Sequence, residues 1–135
     1  MKNQQSCGAV VVHCIDFRFQ NSLHTFLSSR FPQGYDVISL AGGVQELVEK
    51  EASSFTLQQL KISLQLHQPK TIVFIQHEDC GAYRGSKNFQ SAEQELDFQR
   101  QELAKAEALL QKHLPGHLIE TYFIRLSDAM VPLRG

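Results

Sequence analysis

The chain has 135 residues, 42% of them hydrophobic and 20% charged, with a formal net charge of −1, no tryptophan and three cysteines. That is the size of one domain (residues 1–135) with a real apolar core, and near-neutral charge leaves no footprint for broad nucleic-acid or membrane-surface binding. Three cysteines are too few, and odd in number, for a disulfide framework, so a soluble cytoplasmic protein in a reducing compartment is expected.

The first residues are polar, and the apolar run at 9–12 is far too short for a signal sequence or a membrane span. Residues 8–14 (GAVVVHC) form a β-branched run that predicts a buried strand. Residues 21–31 predict a helix with Leu23, Phe26 and Leu27 on one face, ended by Pro32 and Gly34. Residues 35–40 predict a second strand, closed by Gly42 and Gly43.

Val44, Leu47, Val48, Ala52 and Phe55 then recur at helical spacing, while Leu60, Ile62, Leu64 and Leu66 alternate with period two. The first clear breaker is Pro69, so the whole stretch reads as one long helix, with a strand over its second half as the alternative. Residues 71–75 (TIVFI) are the clearest strand, and residues 81–88 have the composition of a loop. Ser91 and Gln94 have capping-box spacing and open a helix carrying Leu96, Leu103, Ala106, Leu110 and Leu114, stopped by Pro115 and Gly116. Residues 119–124 are the last strand candidate. This alternation predicts an α/β fold: a mostly parallel four-stranded sheet, with room for an extra edge strand, and helices on both faces.

In such sheets ligands bind beyond the carboxyl ends of the strands. The first strand runs into Cys14, Asp16 and Arg18, and the third into His77 and Cys80, so both half-sites fall at one edge. Two thiolates and one imidazole, with a fourth position left for water, make a catalytic zinc pattern. The bland reading of each half is a buried apolar cysteine and an ion pair in a surface loop. Their coincidence at two parallel strand ends favours the metal.

Cys-x-Asp-x-Arg at Cys14, Asp16 and Arg18, then Ala41-Gly42-Gly43, then His-x-x-Cys-Gly at His77, Cys80 and Gly81, resembles the β-class carbonic anhydrases. The resemblance covers residues 8–85 and implies one Zn²⁺ per chain and reversible hydration of carbon dioxide to bicarbonate by a zinc-bound hydroxide. It makes Cys14, His77 and Cys80 the ligands and Asp16 and Arg18 the catalytic dyad, with Gly42, Gly43 and Gly81 along the substrate pocket. It further implies that Asp16 can itself take the fourth zinc position at lower pH, restrained by Arg18. Some relatives use an Arg and a Trp at a second bicarbonate site; Ser39 and Leu40 stand at the corresponding turn here and no Trp exists, so that site is not expected. The family's long N-terminal arm wraps a partner subunit. Seven residues precede Gly8, so no such arm is expected, and the expected partners are the small-molecule substrate and a second copy in a homodimer or higher homo-oligomer.

Other readings stay open: hydrolysis of carbonyl sulfide or carbon disulfide at the same site, and a zinc-binding regulatory protein without catalysis. A thiol phosphatase reading of His13, Cys14 and Arg18 fails on spacing, because only three residues separate Cys14 from Arg18 and none is glycine. Cys7, ~23 Å from Cys14 along an extended strand, reads as an incidental thiol. His13 should face the opposite side of its strand, in the core or an interface. His24, His67, His113 and His117 read as solvated or helix-end residues. Glu78 and Asp79 read as loop carboxylates, one of them a potential acceptor for a ligand. Tyr83 and Arg84 are candidates to line the pocket, and Gln5 is a candidate pocket amide. Gly81 is expected to permit a tight turn.

Overall fold

The computed structural model describes residues 5–133. Among the described residues, five strands form one sheet in the order β2-β1-β3-β4-β5: β1 (Ala9–His13), β2 (Tyr35–Ser39), β3 (Thr71–His77), β4 (Leu118–Ile124) and β5 (Met130–Pro132). The first four are parallel, and β5 joins β4 antiparallel as the extra edge strand. The helices are α1 (Gln20–Arg30), α2 (Gln45–Lys50), α3 (Phe55–His67) and α4 (Ala92–His113).

The β-branched runs are central because every residue of β1 and β3 is buried, as expected for parallel strands covered on both faces. Strand alternation sorts their side chains. Val10, Val12, Ile72 and Phe74 pack with Val44, Leu47, Leu57, Leu60, Leu103, Ala106 and Leu110 beneath α2, α3 and α4. Ala9, Val11, Val73 and Ile75 pack on the other face with Phe19, Leu23, Leu27 and Phe31 beneath α1. Each fully buried side chain of this kind contributes about 1.5–3 kcal/mol relative to exposure.

The predicted long helix is in fact two helices. Glu51 has φ 53, a 3₁₀ turn follows at Glu51–Ser53, and Ser54 caps α3 by accepting from the Leu57 N–H at 3.0 Å. The adjacent pair Ser53-Ser54 was the overlooked break signal. The second half is helical, as read: Leu60 is buried and Leu64 packs on the core, whereas Ile62 and Leu66 face solvent, so the period-two pattern came from two surface residues. Ser91 caps α4 as expected, accepting from the Gln94 N–H at 3.1 Å. Among the described residues no helix is long and apolar enough to cross a membrane.

The chain leaves β1 towards β2 on one side and returns to β3 on the other. The carboxyl ends of β1 and β3 therefore form a topological switch point, the crevice where such sheets place their ligands.

Candidate metal centre

Cys14 follows the last residue of β1, and His77 is the last residue of β3. The chain then turns through Asp79, at φ 61, and Cys80. The Cys80 carbonyl accepts from the Tyr83 N–H at 3.0 Å and the Gly85 N–H at 2.9 Å, curling this loop back over the strand end. The result brings Cys14 Sγ, a His77 ring nitrogen and Cys80 Sγ within 4.8 Å of one another, all three residues buried.

The state of His77 is the most informative feature. Its Nδ1 lies 2.7 Å from the Glu78 carbonyl oxygen, which can only accept, so Nδ1 carries a proton and the neutral ring has its lone pair on Nε2. Nε2 is buried and has no hydrogen-bond partner among the described residues. Asp16 Oδ2 lies 3.9 Å from it. A buried acceptor left bare is costly, and a cation between it and the two sulfurs would satisfy it. The Phe19 ring packs on the imidazole, centroids 4.5 Å apart, and fixes its plane.

The two sulfurs shift each other's titration in opposite directions. The Cys80 thiol beside Cys14 pulls the latter far below the ordinary thiol range against the cost of burial, with His77 helping. The same pairing, with burial, pushes Cys80 up. Burial lowers His77, but the Cys14 thiolate and the Glu78 carbonyl outweigh it, and the net shift is upward. Two sulfurs and an imidazole in one buried pocket are a donor set suited to zinc.

Asp16 and Arg18 stand at the mouth. Arg18 donates to Asp16 through Nε, at 3.1 Å to Oδ1 and 3.2 Å to Oδ2, and through Nη2 at 2.7 Å to Oδ2. These bonds hold the Asp16 carboxyl down at about 2 against burial, and the Arg18 N–H at 2.9 Å from Oδ1 adds to them. Arg18 is itself anchored from across the sheet edge: Nη1 donates to Asp79 Oδ2 at 3.1 Å and Nη2 to the Asp79 carbonyl at 2.9 Å. Asp79 is thus not a free loop carboxylate but the far jaw of a clamp. Its Oδ1 also accepts from the Ser86 N–H at 2.8 Å. Glu78 is likewise committed, accepting from the Leu126 N–H at 2.8 Å.

A cleft of about 510 Å³ opens over the cluster, lined by Cys14, Ile15, Asp16, Phe17, Arg18, Ala41, Gly42, Gly81 and Ala82. Gly42 and Gly81 are on its wall; Gly43 lies behind it at φ 59, where a Cβ would strike Gln76 Oε1. Gly81 has no left-handed φ and a Cβ there would meet nothing within 4 Å, so the tight turn falls instead on Arg84 and Gly85, at φ 70 and 77. Tyr83 is buried against Cys14 and Cys80 and donates to Glu102 Oε1 at 2.9 Å. Arg84 lines a neighbouring cleft with Arg18, Asp79 and Lys87. Gln5 is exposed and is not among the residues lining the cleft over the cluster. His13 is buried, as expected of a core residue, with Nδ1 donating to the Cys14 carbonyl at 2.9 Å.

Several supporting residues went unrecognised in the sequence. Gln76 is a lone amide in an apolar strand: its Oε1 accepts from the Val44 N–H at 3.0 Å, and its Nε2 donates at 3.0 Å to both the Gly42 carbonyl and Gln99 Oε1. Buried Glu95 accepts from the Asp79 N–H at 2.8 Å and the Ser86 hydroxyl at 2.7 Å. The visible signal was the spacing of Glu95, Gln99 and Glu102 beside Leu103, Ala106 and Leu110 on α4.

Relatives of the chain are similar throughout its length. An "Uncharacterized protein" of Rickettsia bellii is 23% identical over 137 aligned residues, covering 96% of this chain and 84% of the relative. Another, from Rickettsia conorii, is 24% identical over 96% of this chain and 74% of the relative. The crystal structure of the β-carbonic anhydrase CafA of Aspergillus fumigatus matches with a TM-score of 0.58 at 16% identity, covering 96% of this chain and 76% of that one, a likeness of fold. A family model described as "Putative carbonic anhydrase" matches residues 4–131. With the α/β sheet, the crevice and the Cys/His cluster in place, the chain belongs to this carbonic anhydrase family.

Proposed function

We propose that the protein is a zinc-dependent lyase that interconverts carbon dioxide and bicarbonate, with Cys14, His77 and Cys80 holding one zinc ion and Asp16 and Arg18 serving the reaction. One observation carries this reading: the bare, buried Nε2 of His77 converges with two buried sulfurs at the switch point of the sheet. Zinc bound there supplies the Lewis acidity that makes water nucleophilic near neutral pH.

The protein residues supply the rest. Two thiolates and a neutral imidazole balance a divalent charge, and occupancy requires both sulfurs to be deprotonated. Asp16 stays ionised at neutral pH, so its Oδ2 can only accept a hydrogen bond from a group bound beside His77. The Arg18 fork fixes the direction of that acceptor and keeps the carboxylate from swinging into the cluster. Ile15, Phe17, Ala41 and Ala82 give the cleft an apolar wall suited to a small uncharged substrate. Carbon dioxide and water enter, bicarbonate leaves, and the released proton passes to solvent.

The test pairs zinc analysis of protein purified without chelator with carbon dioxide hydration kinetics at pH 7 and 8.5. The expected result is zinc that Cys14→Ser removes, with hydration activity that Asp16→Asn lowers by about 10²-fold at unchanged metal content. Zinc at this centre without hydration at either pH overturns the carbon dioxide assignment and points to a sulfur-containing substrate or a regulatory role. Absence of zinc from this centre overturns the reading altogether.

A further inference from the structure

Cys7 is remote from Cys14, as the strand arithmetic requires, but it is not isolated. It precedes β1 at the end of the sheet opposite the candidate centre. Asp36 lies near the start of β2 and His67 is the last residue of α3. Cys7 Sγ, an Asp36 carboxylate oxygen and a His67 ring nitrogen all lie within 4.8 Å of one another, each residue half-buried.

The three are held together by independent contacts. The Cys7 N–H donates to the His67 carbonyl at 3.1 Å, tying the strand entry to the helix end. His67 Nδ1 and Asp36 Oδ2 are 2.7 Å apart, and the Ser63 hydroxyl donates to the same oxygen at 2.7 Å. Cys7 Sγ turns inward to the Ala9 carbonyl at 3.3 Å. A sulfur, an imidazole nitrogen and a carboxylate oxygen, drawn from three elements, are brought to one point by the fold rather than by sequence proximity.

We propose that Cys7, Asp36 and His67 form a second divalent-metal site, selective for zinc-like ions, at the amino-terminal end of the sheet. The donor set is one that zinc accepts, and bonds of about 2.0–2.3 Å place tetrahedral ligands about 3.3–3.8 Å apart. Side-chain adjustments of about an ångström within the observed cluster reach that spacing. One thiolate and one carboxylate neutralise the ion. The carboxyl end of α3, a helix of 13 residues, adds its negative dipole end beside His67. Ser63 orients Asp36. His67 and Asp36 side chains remain 39% and 31% exposed, which leaves the fourth position facing solvent. Binding releases the Cys7 thiol proton and ties β1, β2 and α3 together at their shared end.

The test titrates Zn²⁺ and Co²⁺, as chlorides, into the full chain and into a Cys14→Ser/Cys80→Ser background that removes sulfur from the other centre. In that background the site should bind one equivalent of metal, and Co²⁺ should give a thiolate charge-transfer band. Adding Cys7→Ser should abolish the band, and His67→Ala should weaken the metal Kd by about 100-fold or more. In the otherwise unaltered chain, Cys7→Ser should lower metal content by one equivalent while the circular dichroism spectrum is retained. Two results overturn the proposal: no metal bound by the double variant while its spectrum is native, or metal content and Co²⁺ spectrum indifferent to Cys7→Ser. Because the two centres share no ligand, failure at Cys14 and failure at Cys7 are read separately.

Discussion

Replacing Arg18 by Gln tests whether the guanidinium is what sets the charge and direction of Asp16. Arg18 supplies three side-chain hydrogen bonds to that carboxylate, while the Arg18 backbone N–H at 2.9 Å would survive in the variant. Asp16 is held at about 2 against an ordinary 3.8, mainly by the Arg18 side chain. Loss of the fork should therefore raise it by about one unit or more, each unit corresponding to about 1.4 kcal/mol of preference for the charged form. The stability effect is smaller, because Arg18 is 37% exposed and solvent screens the pair; about 0.5–1 kcal/mol is expected at pH 7. The sign follows from the depressed value: this stabilisation is fully present above 3.8 and disappears as the pH falls through about 2.

Carboxyl ¹³C NMR of the metal-free protein reads the Asp16 titration directly. In zinc-loaded protein the same variant should lower kcat/KM for hydration by about 10–100-fold at unchanged zinc content, the cost of a misdirected acceptor. Arg18→Lys should restore part of the titration shift but little of the rate, since an ammonium supplies charge without the planar fork. An Asp16 titration unmoved by Arg18→Gln would refute the clamp. A hydration rate unmoved by it would refute the claim that the direction of Asp16 matters.

Cys80→Ser should lose zinc from the centre when its content is measured after dialysis, because a serine hydroxyl does not replace a thiolate ligand at neutral pH. Gly43→Ala combines a left-handed φ of 59 with a Cβ driven onto Gln76 Oε1, and thermal unfolding should show a loss of about 2–4 kcal/mol. Glu46 accepts from the Ser54 hydroxyl at 2.6 Å, the Phe55 N–H at 2.7 Å and the Thr56 N–H at 3.0 Å, capping α3 from a distance. Burial raises its pKa, but these bonds outweigh it and hold the carboxyl below its ordinary 4.5. Glu46→Gln should cost about 1 kcal/mol in urea unfolding at pH 7, a deficit that closes as the pH falls below 4.5, where the wild-type carboxylate loses its charge.

The parts of the fold that were legible are those set by local pattern. The β-branched runs ending in Cys14 and His77 read as buried strands because burial on both faces selects such residues, and the strand–helix alternation, which makes the strands parallel, placed both ends at one edge. Where an apolar pattern had two sources, the reading weakened: Ile62 and Leu66 imitated a strand from the exposed side of α3, and Ser54 ended one helix and capped the next without a proline to mark it. Asp79 was out of reach for a different reason. Its role depends on a left-handed backbone in the three-residue turn after β3 and on a partner 61 residues away, and neither is written in local sequence. Cys7 shows the same limit: arithmetic gave its distance from Cys14, but nothing local showed that Asp36 and His67 would arrive beside it.

The polar stripe on α4 carries the deeper lesson. An amphipathic reading assigns Glu95, Gln99 and Glu102 to solvent, yet all three are buried with the apolar face. They are stable there because each meets a specific donor: Asp79 and Ser86 for Glu95, Gln76 for Gln99, and Tyr83 for Glu102. Every one of those donors belongs to the end of β3 or to the loop bearing Cys80. Gln76 in turn grips the Gly42 carbonyl and the Val44 N–H, on the turn that flanks Cys14. The stripe is therefore a polar platform that fixes the loop of one half-site against the turn beside the other. Interior polar groups are costly unless paired; Gln99 Nε2 has no hydrogen-bond partner among the described residues, and truncating Gln76 would also strand the buried Val44 N–H and loosen both sides at once. The polar face of α4 is buried because the centre it supports is buried.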